Sequence, residues 1–175
     1  MEHVLKMNYR DVTRKARLHD SLNIKARLLQ VGARFVGTDQ QVDQYFDVPR
    51  GKLKWRQGTI ENLITHYERI LEDGFEHTVV YRYDVNPSPE AIKELCDHYQ
   101  SLSSIRKQRS IYWLGPVKIH IDALPDGNEF IEWEAIDREG NYSIRALKAH
   151  CVQIQHLLGI DKADLLPTGY FQKKT

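Results

Sequence analysis

The sequence predicts an α+β fold: an eight-stranded antiparallel β-barrel with helices packed on its outside. Three observations predict it. Eight strand-like segments are joined mostly by connections shorter than the roughly twelve residues a parallel crossover needs, so neighbours run antiparallel. Three amphipathic helical stretches each need an apolar surface to cover. Charged residues recur at i and i+2 along the strands, which gives the sheet one charged face. The 175 residues suit a single domain, and 1–175 is read as one unit.

The elements follow in order. A strand over about 8–18 leads to a helix capped at Asp20 or Ser21, with Leu22, Ala26 and Leu29 as its apolar stripe and Gly32 as its stop. Strands over about 34–47, 52–57, 62–71 and 77–85 are separated by Pro49-Arg50-Gly51, Gln57-Gly58 and Asp73-Gly74. The second helix opens on Ser88-Pro89-Glu90, a cap followed by proline at the first helical position; its stripe is Ile92, Leu95, Cys96, Tyr99 and Leu102. Strands over about 105–114, 116–123 and 128–137 turn at Gly115-Pro116 and Asp126-Gly127. The third helix starts near Ser143, carries Leu147, Cys151, Ile154 and Leu158 on one face, and stops at Gly159.

Composition removes several functions. Lys+Arg 25 against Asp+Glu 24 gives a net charge of +1, so a nucleic-acid partner with its basic surface is not expected. No apolar run reaches the roughly 20 residues that span a bilayer, and MEHVLKMNYRD lacks the apolar core of a secretory signal. Two cysteines, Cys96 and Cys151, both on helical stripes, read as small core residues in a reducing, cytoplasmic protein. No phosphate-binding glycine loop and no nucleophile elbow is present. Trp113 and Trp133 are expected to face helices, and Tyr45, Phe46 and Trp55 to pack.

On the strand faces, Asp11, Thr13, Lys15 and Arg17 lie together, as do Lys54 with Arg56, Tyr67 with Arg69, and Lys107 with Arg109. Lys118, His120 and Asp122 oppose Val117, Ile119 and Ile121; Glu132 and Glu134 oppose Ile131 and Trp133. Alternation alone permits two arrangements: an apolar interior with solvated charges, or apolar outer faces under the helices with the charges turned inward. The second makes a polar tunnel whose assigned strand faces carry an excess of basic over acidic residues. Lys and Arg there suit a polyanion such as a triphosphate, and carboxylates beside them suit a divalent cation that shares the phosphates.

The segments DVTRKARLHD, QVDQYFDVPRGKLKWRQG, LITHYER, VVYRYDV, SIRKQRSIYWL and KIHIDALPDGNEFIEWEAI resemble, in order, the strands of the CYTH domain, the triphosphate tunnel metalloenzyme family. The resemblance covers about residues 8–160. It implies an eight-stranded tunnel that binds a triphosphate such as ATP, thiamine triphosphate or tripolyphosphate with Mg²⁺ or Mn²⁺, in a monomer or homodimer. It implies Lys15, Lys107 and Arg109 as catalytic phosphate contacts, with Arg17, Lys54, Arg56, Arg69, Arg82 and Lys118 as further substrate contacts. Asp122, Glu132, Glu134 and Asp11 would hold the metal. The family's opening ExExK appears here as Asp11-Val12-Thr13-Arg14-Lys15: one carboxylate is shortened and the second is a hydroxyl. A binder of phosphate compounds without catalysis is therefore the alternative to a triphosphatase or adenylyl cyclase.

Overall fold

A computed structural model describes residues 9–167. The chain order is β1 (Arg10–Leu18), α1 (Ser21–Gln30), β2 (Arg34–Phe46), β3 (Lys52–Gly58), β4 (Leu63–Glu72), β5 (Phe75–Val85), α2 (Pro89–His98), β6 (Ser101–Leu114), β7 (Val117–Ala123), β8 (Glu129–Asp137) and α3 (Ile144–Leu158). The strands form a closed barrel in the order β1-β5-β4-β3-β2-β6-β7-β8, and every pair is antiparallel. β1 pairs with β8 over its whole length, from Arg10 opposite Asp137 to Leu18 opposite Glu129. With β5 it shares the single register position Thr13 opposite Glu76. Leu166 then donates its backbone N–H to the Lys15 carbonyl at 2.8 Å, so the segment after α3 lies along β1.

The helices decide which way the strands face. Val12 and Ala16 of β1, Ile119 and Ile121 of β7, and Ile131, Trp133 and Ala135 of β8 pack with Leu147, Cys151, Ile154 and Leu158 of α3 and with Ile24 and Leu28 of α1. Trp133 is fully buried and donates its indole N–H to the Cys151 carbonyl at 3.0 Å. Each fully buried aliphatic side chain in this wall contributes about 1.5–3 kcal/mol. A second cluster seats Leu95 of α2 on Phe46, Val48, Leu53 and Ile64, with Trp55 packed against it. Side chains alternate along a strand, so residues between these apolar ones must turn inward. The charged faces line the barrel, and the tunnel arrangement holds.

Three helix caps are made as the sequence suggests: Asp20, Ser88 and Ser143 each accept an N–H three residues on. Gly159, at φ 66°, ends α3 in the left-handed region that glycine adopts without strain. Other expectations fail. The buried stripe of α1 is Ser21, Ile24 and Leu28, while Leu22 and Leu29 are 76% and 60% exposed. Both triplets satisfy helical spacing, and only the position of the wall selects between them. α2 ends at His98 and β6 begins at Ser101, so Leu102 belongs to a strand. Cys96 is exposed rather than core; Cys151 is buried. Trp113 lies opposite Lys118, on the Arg109 face of β6, and not on the Tyr112 face that meets the helices.

Candidate active site

The interior is a cavity of about 1270 Å³ that draws its wall from the barrel strands. Lys15 reaches it from β1, Lys54 and Arg56 from β3, Arg69 from β4, Lys107 and Arg109 from β6, and Lys118 from β7. Burying this many cations is tolerable only if each is paired and hydrogen-bonded. The barrel supplies the partners across adjacent strands. Arg109 sits opposite Asp122 in register, and its Nε and Nη2 each donate to that carboxylate at 2.7 Å. Arg56 sits opposite Asp43, and its Nε and Nη2 donate to the two carboxylate oxygens at 2.8 Å. Lys107 bridges the two forks, with Nζ 3.4 Å from Asp43 and 3.6 Å from Asp122. Lys54 adds a contact to Asp43 at 3.4 Å. Arg69 donates to Glu76 at 3.0 Å and to Glu132 at 2.8 Å.

These pairings set the proton affinities. Burial would raise the Asp43 carboxyl, but Lys54, Arg56 and Lys107 hold it well below the usual range. Glu132 is likewise far below it: Arg69 and Lys15 outweigh burial. The lysines move the other way. Burial lowers Lys15 and Lys107 to about 7, with Arg109 adding to the effect on Lys107, and lowers Lys54 to about 8. His120 lines the cavity at 5% exposure. Burial and four nearby cations, Arg109, Lys118, Arg56 and Lys107, keep its imidazole neutral, and neither ring nitrogen has a hydrogen-bond partner.

Beside Thr13 the electrostatics invert. Asp11 and Glu134 form a carboxylate pair, and burial followed by the Asp11 charge raises Glu134 to about 8. The Tyr9 hydroxyl donates to Glu134 at 2.5 Å, and the Thr78 backbone N–H donates to Asp11 Oδ1 at 2.6 Å. Asp11 Oδ2 and Thr13 Oγ1 are buried with no hydrogen-bond partner, and Thr13 lies opposite Glu134 in register.

The structure divides the site residues expected from sequence. Lys15, Lys54, Arg56, Arg69, Lys107, Arg109, Lys118, Glu132 and Glu134 share the cavity wall. Arg82 lines the cavity too, opposite His66 and bonded to Asp84 at 2.7 Å. Arg17 does not join them: it is exposed and donates to Asn128 at 3.0 Å. The four expected metal ligands are also not one group. Asp122 and Glu132 are held by arginines, Asp11 and Glu134 face each other, and no cluster of three or more His, Cys, Asp or Glu suited to a metal occurs among the described residues.

Sequence reading missed Asp43, Glu61, Glu76 and Asp39. Asp39, Gln41 and Asp43 alternate along β2, so the i, i+2 rule could have found them. Glu61 sits in the β3–β4 turn, where alternation says nothing. Asp39 presents that turn: its carboxylate accepts the Ile60 N–H at 2.8 Å, the Glu61 N–H at 3.0 Å and the Thr59 hydroxyl at 3.0 Å. With these acids added and Arg17 removed, the basic excess expected inside the barrel is largely neutralised.

A CYTH domain model matches residues 10–170. The chain belongs to the CYTH family. Its fold matches the PH1012 protein of Pyrococcus horikoshii OT3 with a TM-score of 0.77 at 25% identity, covering 91% of this chain and 96% of that one. A candidate adenylate cyclase from Vibrio parahaemolyticus matches with a TM-score of 0.73 at 16% identity, over 91% and 94% of the two chains. The Hippeastrum protein HpAC1, a candidate adenylyl cyclase with a dominant triphosphatase activity, matches with a TM-score of 0.57 at 14% identity, over 86% and 88%. Comparison with curated proteins gives no match. No helix among the described residues of this CYTH protein is long and apolar enough to cross a membrane.

Proposed function

We propose that the tunnel takes a triphosphate-containing small molecule and processes it with a divalent cation, by hydrolysis or by cyclisation of ATP. The observation that carries this reading is the convergence of Lys15, Arg56, Arg69, Lys107 and Arg109, from four strands, on one cavity. Arginine forks hold phosphate oxygens in a fixed orientation, and the lysines place charge beside them. Lys15 and Lys107, with proton affinities near neutrality, are poised to take up protons when a polyanion arrives. The names carried by the Vibrio and Hippeastrum proteins agree with this chemistry.

Family membership implies Mg²⁺ or Mn²⁺, and the residues that fit it are Asp11 and Glu134. They are buried hard-oxygen donors that need a proton or a cation between them, and Thr13 Oγ1 beside them is buried with no hydrogen-bond partner. Mg²⁺ is held by about one or two carboxylates, completed by water and phosphate. Such a cation would supply charge neutralisation for phosphate oxygens. Asp122 and Glu132 would keep Arg109 and Arg69 in place. A second reading, binding without turnover, is favoured by Thr13, which supplies no negative charge where the family has a carboxylate.

The test is phosphorus NMR of the protein with tripolyphosphate, thiamine triphosphate or ATP, in Mg²⁺ or Mn²⁺. Turnover that falls by about 100-fold or more in Lys107→Met supports the enzyme, a loss of order two decades being common for one removed electrostatic stabiliser. Binding without turnover, with activity gained in Thr13→Glu, supports the second reading. Failure to bind any of the three rejects both.

A further inference from the structure

Glu61 is the one acid of the tunnel network that comes from a turn. Its carboxylate accepts from Arg56 Nη1 at 3.0 Å, from Lys118 Nζ and, at 3.3 Å, from Gln41 Nε2. Arg56 belongs to β3 and Lys118 to β7, strands separated by β2 and β6 in the barrel order, so Glu61 spans the space between two walls. It lines the cavity together with both cations. The contrast with Asp43 is instructive. Asp43 is 1% exposed, sits within a strand, and is held by Arg56, Lys54 and Lys107 together. Glu61 is anchored through its backbone N–H to Asp39, and its side chain is free to rotate without breaking that anchor.

We propose that Arg56 and Lys118 form a phosphate subsite that Glu61 fills as a tethered counter-anion, and that a triphosphate binds there by displacing the Glu61 carboxylate. This rests on the triphosphate reading above. An empty subsite with cations on two walls would be strained by their repulsion, and a carboxylate on a turn relieves it while remaining exchangeable. Phosphate competes well for the position because it brings more charge and more acceptor oxygens than one carboxylate. Despite burial, Lys118 and Arg56 draw the Glu61 carboxyl down to about 2, so it is an anion at neutral pH. The consequence has an unusual sign: removing a residue that makes three contacts in the site strengthens ligand binding.

The experiment is calorimetric titration of tripolyphosphate, without metal, into the wild-type chain, Glu61→Gln and Lys118→Met. The proposal expects Glu61→Gln to bind about tenfold tighter and Lys118→Met about tenfold weaker, each the size of one charge-assisted contact. In the wild type, the carboxyl carbon resonance of Glu61 should shift toward that of a solvated glutamate as tripolyphosphate is added, a readout that needs no variant. If the wild type binds and Glu61→Gln binds equally or more weakly, the inference fails and the triphosphate reading stands. An unmoved Glu61 resonance at saturation overturns it in the same way. If neither the wild type nor Glu61→Gln binds tripolyphosphate, the inference fails, and the triphosphate reading falls with it only if thiamine triphosphate and ATP with Mg²⁺ or Mn²⁺ also fail to bind.

Discussion

Two acidic regions of the tunnel are built from similar residues and have opposite electrostatics. At Asp122 a carboxylate meets a guanidinium fork at 2.7 Å on both nitrogens, with Lys107 beside it. At Asp11 and Glu134 two carboxylates meet each other, and Glu134 is pushed up to about 8. The first region is neutral by construction and can serve as scaffold for the arginine. The second carries a deficit that a proton or a cation must fill. Acidic residues in this tunnel therefore do different work according to which strand lies opposite: β6 offers Arg109 to Asp122, whereas β1 offers Thr13 to Glu134.

The sharpest way to break this contrast is to remove the guanidinium. In Arg109→Met, Asp122 would remain about 1% exposed without its fork, leaving a buried charge short of its main partner. Losing one partner of a buried pair costs about 3–5 kcal/mol. Urea denaturation should show a loss of unfolding free energy of that size; a change below about 1 kcal/mol, by the scale of roughly neutral surface changes, would place Asp122 in contact with water instead.

At the other region the effect is smaller per pH unit, and its sign is fixed by linkage. The folded proton affinity of Glu134 lies above its ordinary value of roughly 4.3, so the folded state holds a proton that the unfolded state has released. This contribution is fully present below the ordinary value and is lost as pH rises toward about 8. The stability of wild type relative to Glu134→Gln, without metal, should then fall by up to about 1.4 kcal/mol per pH unit between those limits. Taking the difference removes Lys15 and Lys107, whose lowered affinities near 7 act in the opposite direction. A difference that does not vary with pH would mean that the two carboxylates do not sense each other.

Much of the barrel was legible because period-two alternation, short turns and helix caps are local signals. Val12, Ile119, Ile131 and Trp133 alternate with Thr13, His120, Glu132 and Glu134, and the helices' need for an apolar wall oriented them. What local patterns could not carry was pairing. That Asp43 meets Arg56, or that Glu61 reaches Lys118, depends on register and on a turn held by Asp39. The α1 stripe failed for a related reason, since only the wall's position separates Ile24 and Leu28 from Leu22 and Leu29. Counting charges on a face therefore overestimated the basic excess. The family pattern picked out basic residues that line one cavity, yet it grouped Asp122 with Glu134, which the barrel keeps in different networks.

The smallest effect separates face from depth. Arg17 shares a strand face with Lys15, and alternation makes the two equivalent. They are not equivalent along the tunnel. Lys15 is 5% exposed and opposite Glu132, while Arg17 stands near the end of β1, opposite Phe130, exposed and bonded to Asn128. Arg17→Met should change stability by less than about 0.5 kcal/mol, as for other surface substitutions. Its tripolyphosphate affinity should remain within about twofold of wild type, which is about 0.4 kcal/mol. Arg69→Met, at the level of Glu132, should weaken binding by about tenfold, the scale of one charge-assisted contact. If Arg17→Met weakened binding as much as Arg69→Met, the triphosphate would have to extend past the end of β1, and depth along the strand would not be what selects the phosphate contacts.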